Sequence, residues 1–132
     1  MPEIKQQITG FKKLQVWQEA HAFVLLVYQV TANFPREERL ALTSQLRRAV
    51  FSLAANIVEG YAYHSNKTFL RYLAIAEGSL AESEYYLLLA KDLGLIKEAD
   101  YLRLEEKRAK VGAYLYKFKS AVRAQVAKGE RN

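Results

Sequence analysis

Cysteine is absent from this sequence. Its absence excludes a disulfide framework and every thiolate metal site, and it suits a reducing cytoplasm. Proline and glycine are scarce, with two and six copies in 132 residues. So little turn chemistry argues against a many-stranded β fold and for long helices. No apolar run approaches the roughly 20 residues that span a bilayer, so no membrane partner is expected. The opening "MPEIKQQITGFKK" lacks the apolar core of a secretory signal. Histidine is also rare, as only His21 and His64 occur.

What is present reads as one helical domain over residues 1–132, with 1–10 and 128–132 as frayed tails. Hydrophobic residues make up 51% and charged residues 26%, an ordinary globular balance. The first helix is expected from about Phe11 to Asn33. Leu14, Trp17, His21, Val24 and Tyr28 share one face at spacings of three and four, and Val16, Phe23, Val27 and Val30 form a second stripe beside it. Pro35 ends it, and Arg36 to Leu40 suits one short helical turn. A second helix is expected from an N-cap at Thr43 to Gly60, with Leu42, Leu46, Ala49, Val50, Leu53 and Ile57 inward. Ser65 caps a third, which runs to Leu93 and closes at Gly94 with Phe69, Leu73, Ala76, Leu80 and Leu87 inward. The fourth spans about Lys97 to Ala127, with Leu104, Val111, Leu115, Phe118 and Val122 inward. Long helices with short connections predict an all-α, antiparallel up-down four-helix bundle.

Three of these helices carry more apolar surface than one bundle needs. Phe51, Ala55 and Val58 lie away from the core face of the second helix. Leu70, Ala74, Ala81 and Leu88 lie outside the main stripe of the third. Burial against further copies predicts a homo-oligomer.

The second helix also carries an unusual polar edge. Gln45, Arg48, Ser52, Asn56 and Glu59 follow spacings of three and four, with Arg47 beside them. Glu77 and Glu84 share one side of the third helix. The expected role is structural. Arg47 or Arg48 should pair with Glu59, Glu77 or Glu84, and Asn56 with backbone near Gly60, which fixes register between helices or subunits. Carboxylate-bridged metal sites in bundles use Glu-x-x-His pairs, and the sequence has none. His21 is expected to be satisfied on the core face of the first helix, and His64 sits in a loop. No Gly-x-Ser-x-Gly elbow, no phosphate-cradling glycine loop and no histidine placed to activate Ser52 or Ser79 is present. Catalysis, cofactors and metals are therefore not expected.

Charge is the best functional clue. The net charge is +6, and residues 107–132 carry eight cations against one carboxylate, while residues 1–106 nearly cancel. Arg103, Lys107, Lys110 and Lys117 run along one edge of the fourth helix with Tyr114 interleaved, and Arg108, Lys119 and Arg123 run along the other. Cations track phosphates and a ring can stack on an unpaired base, so RNA or DNA is the candidate partner. The alternative is a solvated basic face.

The segment "FKKLQVWQEAHAFVLLVYQVTANFPREERLALTSQLRRAVFSLAANIVEGYA" resembles the four helix bundle protein family, also called the 23S ribosomal RNA intervening-sequence protein family. The pattern runs through Leu14, Trp17, Tyr28, Phe34-Pro35, Glu38, Leu42, Gln45-Leu46-Arg47-Arg48-Ala49, Ser52, Asn56-Ile57 and Glu59-Gly60. It continues as Phe69, Leu73, Ala76, Gly78-Ser79, Glu82 and Glu84, and covers about Phe11 to Ile96. The fourth helix matches by length and period. The resemblance implies a ring-like homopentamer of up-down bundles with no established enzymatic activity. It also implies kinship with a retroelement accessory protein that binds nucleic acid and a reverse transcriptase. The loop "AYHSNKTF" is less basic than in relatives, and Glu77 and Ser83 stand where apolar residues are usual. The expected function is a non-enzymatic, cytoplasmic, pentameric RNA binder acting through Arg103, Lys107, Lys110, Tyr114, Lys117 and Arg123. The alternative is a scaffold that holds a nucleic-acid-processing protein such as a polymerase.

Overall fold

The computed structural model describes residues 10–132, so the frayed tail expected over 1–10 lies outside the described residues except for Gly10. Gly10 takes φ +63°, and a short 3-10 turn over Gly10–Lys13 leads into α1, Gln15–Thr31. A second 3-10 turn, Arg36–Glu38, precedes α2, Leu42–Ala62. Then come α3, Asn66–Asp92, and α4, Glu98–Ala127. The described residues contain no strand. Each helix neighbours the next around the bundle, and α1 closes it against α4. Hydrogen bonds between helices fix the antiparallel sense, because the end of α1 meets the start of α2 at Arg47–Thr31 and the start of α3 meets the end of α4 at Asn66–Gln125. This is the up-down four-helix bundle.

The core lies where the helical periods place it, with one exchange. Leu46, Leu53, Ile57, Leu73, Leu87, Leu104 and Leu115 are fully buried, each contributing about 1.5–3 kcal/mol of burial. On α1 the two stripes trade roles. Val16, Ala20, Phe23, Val27 and Val30 are buried, whereas His21 and Tyr28 are exposed and Leu14, Trp17 and Val24 flank the core. Both stripes satisfy the same period, so spacing does not choose between them. Polarity does: an imidazole and a phenol buried without partners would each lose hydration, while Val, Ala and Phe lose nothing polar. His21 is thus not a core residue; it stacks on Trp17 at 4.9 Å between ring centroids.

Three boundaries differ from expectation. Thr43 does not cap α2. The helix starts at Leu42, whose N–H donates to the Glu38 carboxylate at 3.4 Å, and Thr43 is buried in the first turn. Gly60 does not end α2 but lies within it, where α3 passes so close that a Cβ would sit 2.7 Å from Tyr72 Cβ and 2.8 Å from Phe69 Cδ1. Residues 128–132, expected to fray, fold back on α3. Asn66 N–H donates to the Arg131 carbonyl at 2.7 Å, and its amide donates to the Glu130 carbonyl at 2.7 Å. Two expectations hold in detail. Ser65 Oγ accepts the Thr68 N–H at 3.3 Å. Gly94, at φ +75°, closes α3 as Leu95 N–H reaches the Ala90 carbonyl at 2.9 Å, the left-handed cap that glycine permits.

Gly60→Ala tests the α2–α3 approach. Alanine in a helix interior gains up to about 1 kcal/mol over glycine. Here the clash is with atoms near the α3 backbone, so a net loss of about 1–3 kcal/mol is expected from overpacking, read as a lower urea midpoint. An unchanged or raised midpoint would show that α3 moves aside freely.

Candidate nucleic-acid interface

The cations of α4 divide into two groups once their neighbours are known. Lys107 Nζ lies 3.8 Å and Lys110 Nζ 3.4 Å from the carboxylate of Glu19, on α1. Arg108 forks onto Glu105 at 3.0 and 2.9 Å and reaches Glu84 on α3 at 3.0 Å. The Glu105 hydrogen bonds hold the Arg108 guanidinium even more firmly charged than usual, against its partial burial. Lys119 pairs with Glu77 of α3, and Arg103 lies 3.5 Å from Asp100. Tyr114 is half-buried, and its hydroxyl accepts from Gln15 at 2.9 Å. Of the six residues singled out for phosphate binding, only Lys117 and Arg123 are exposed and free of ion pairs among the described residues.

The antiparallel topology adds cations that a reading along the chain does not connect. The start of α1, the end of α2, the start of α3 and the end of α4 lie at one end of the bundle. That end gathers Lys12, Lys13, Lys67, Arg71, Lys117, Arg123, Lys128 and Arg131; among the described residues its carboxylates are Glu59 and Glu130, with Glu77 at its border already paired with Lys119. None of these eight cations makes an ion pair among the described residues. Aromatic rings lie among them. Tyr63 and Tyr72 stack at 5.4 Å, Lys13 Nζ sits 6.0 Å from the Tyr61 ring, and Phe69 meets Phe118 edge-on at 5.4 Å. Tyr61, His64, Phe69, Phe118 and Arg131 line a cleft of about 170 Å³ there. The Tyr72 hydroxyl donates to Tyr63 and Glu59, both at 3.4 Å. Its pKa is pushed up to about 12, first by the Tyr63 hydrogen bond, then by reduced hydration and the Glu59 charge. The signal for this surface was in the sequence as the Lys12-Lys13 and Lys67/Arg71 pairs, but only the fold joins them to the end of α4.

The polar edge of α2 is real but pairs differently within the chain. Arg47 donates to Thr31 Oγ1 at 2.9 Å and to the Tyr28 carbonyl at 3.4 Å, and lies 4.5 Å from the Tyr28 ring centroid. It meets none of the three glutamates expected for it, which serve Tyr72, Lys119 and Arg108. Asn56 donates to the Ser52 carbonyl at 2.7 Å and Ser52 Oγ at 3.1 Å, rather than to backbone near Gly60. Ser52 in turn shares a hydrogen bond with Ser79 at 3.0 Å. Ser79 thus lies where α2 and α3 approach, while a Cβ on the adjacent Gly78 would meet open space. Gln45 and Arg48 are exposed and line a surface groove with Ser52 and Glu82.

A family model for the 23S rRNA-intervening sequence protein matches residues 12–117. The chain belongs to that family. The match extends past α3 into α4 as far as Lys117, and so further than the motif-rich first three helices, but it stops short of Arg123, Lys128 and Arg131. No curated protein matches the chain. A crystal structure of a protein of unknown function from the S23 ribosomal protein family of Bacteroides thetaiotaomicron shares the fold. It has TM-score 0.70 and 22% identity over 79% of this chain and 97% of that one. Among the described residues, no helix is long and apolar enough to cross a membrane.

Tyr63→Phe removes the largest cause of the Tyr72 shift. The Tyr72 phenol should then titrate well below the native value of about 12, towards the usual pKa of about 10. Ultraviolet phenolate absorbance on raising pH checks this; an unmoved transition would place the cause in Glu59 or dehydration.

Proposed function

We propose that this protein is a non-enzymatic homo-oligomer that binds structured RNA through the basic end of its bundle. The observation that carries the reading is the gathering at that end of eight cations that make no ion pair among the described residues. Cations already held by carboxylates displace few counterions from a nucleic acid, whereas free ones contribute fully. Lys117 and Arg123 therefore keep the role expected from sequence, and Lys12, Lys13, Lys67, Arg71 and Lys128 join them. Lys107 and Lys110 pass to a structural role on Glu19. Tyr61 and Tyr63 offer faces on which unpaired bases can stack.

The oligomer is read as a cytoplasmic pentamer, the assembly implied by the family resemblance. Ala74, Gly78, Ala81, Tyr85 and Leu88 fall on one exposed face of α3 at helical spacings. Phe51 of α2 and Leu25 of α1 are also exposed, at 48% and 58%. Apolar faces on three helices suit burial against second copies. A ring would set several basic ends on one rim and multiply their field.

Two measurements test this reading. Fluorescence anisotropy on a labelled structured RNA across a salt series should show binding that weakens steeply with salt. A Lys117→Ala, Arg123→Ala, Lys128→Ala variant should lower the slope by about 0.7–0.9 for each phosphate no longer neutralised. Lys107→Ala, Lys110→Ala should leave it nearly unchanged. Absence of binding at low salt would overturn the RNA reading. A partner that survives nuclease treatment in a pull-down would then favour a protein scaffold for a nucleic-acid-processing enzyme. For assembly, Leu88→Glu should reduce the mass seen in sedimentation equilibrium; a native protein already monomeric at micromolar concentration would refute the oligomer.

A further inference from the structure

The opposite end of the bundle holds a second, smaller cationic feature that the RNA reading does not use. The 3-10 turn and the start of α2 form a groove of about 370 Å³, lined by Arg36, Arg39 and Arg47 with Thr31 and Thr43. None of the three arginines makes an ion pair among the described residues. Glu38 is close by, but its carboxylate is turned to the Leu42 N–H at 3.4 Å. Glu37 is exposed in the same turn.

Arg47 is held ready. Its Nε–H and one Nη–H are fixed on Thr31 and Tyr28, and its guanidinium lies over the Tyr28 ring. A guanidinium has five N–H donors, so the rest stay available in a fixed orientation. Independently, Thr43 is 7% exposed, and its hydroxyl has no hydrogen-bond partner. A buried hydroxyl without a partner is an exception that calls for an explanation. Thr43 also stands in the first turn of a 21-residue helix, where unpaired N–H groups and the helix dipole favour an anion.

We propose that this groove binds a phosphate group, with Arg47 as the fixed clamp, Arg36 and Arg39 closing over it, and Thr43 donating its free hydroxyl. Three guanidinium groups and a hydroxyl suit the three peripheral oxygens of a phosphate monoester better than the two of a carboxylate. The groove lies away from the basic end, so the proposal stands apart from RNA binding.

Isothermal titration calorimetry of the full chain tests it, with inorganic phosphate and glycerol phosphate as probes and sodium chloride at equal ionic strength as control. Saturable heat with either phosphate and none with chloride is expected. Tighter binding of glycerol phosphate would point to the phosphate of a larger molecule, and tighter inorganic phosphate to the free ion. Arg36→Ala, Arg39→Ala changes only exposed side chains, and should weaken binding about tenfold or more because it deletes two charge-assisted donors. Lys97→Ala, Arg103→Ala removes the same charge from exposed side chains outside the groove and should leave binding unchanged. Thr43→Val should weaken binding while the free protein melts no lower, because it discards an unpaired hydroxyl. No saturable heat, or equal weakening in both double variants, would overturn the site.

Discussion

Between α2 and α3 there is no room for a side chain at residue 60. That constraint organises the bundle. Glycine at this point lets the α2 backbone touch Phe69 and Tyr72, and the seam continues through Ser52 and Ser79, whose hydroxyls bond at 3.0 Å. Small residues where two helices meet trade side-chain volume for backbone proximity, and polar ones must then find partners across the seam. Asn56 finds its partner in Ser52. With this pair set, α1 and α4 complete the core from the other side.

The same packing decides which charges are free. Along α4 the cations look like one continuous patch. In the bundle Lys107, Arg108 and Lys110 lie beside Glu19 and Glu84, and Lys119 lies beside Glu77. Most such surface pairs contribute only about 0–1 kcal/mol to stability. Their larger effect is on the field, because they cancel the positive charge of the cations they hold. The last turns of α4 keep their excess, and exposed charges closer than the Debye length, about 8–10 Å near physiological salt, act together.

The two ends of the bundle therefore differ in kind. One is a broad basic surface with accessible rings, suited to an extended polyanion. The other is a mixed surface with a small arginine-lined groove, suited to a compact anion. The exposed faces of α1, α2 and α3 lie between these ends, where side-by-side association would leave both open.

Much was legible from the residues alone. The buried faces of α2 and α3 follow the helical period residue for residue, and the cap at Ser65 and the stop at Gly94 are local chemistry that needs no neighbours. The family was readable for the same reason, since Gln45 to Gly60 is a contiguous pattern. Elsewhere the period was ambiguous. On α1, Leu14–Tyr28 and Val16–Val30 repeat equally well, and only the cost of burying His21 and Tyr28 selects the second. Ion pairs between helices were illegible because they join residues such as Lys110 and Glu19 that lie far apart along the chain. The helices, most of the core and the family thus follow from the order of residues along the chain. Which cations stay free follows from the folded bundle, because electrostatic partners are set by distance in space, and spacing along one chain does not contain that distance.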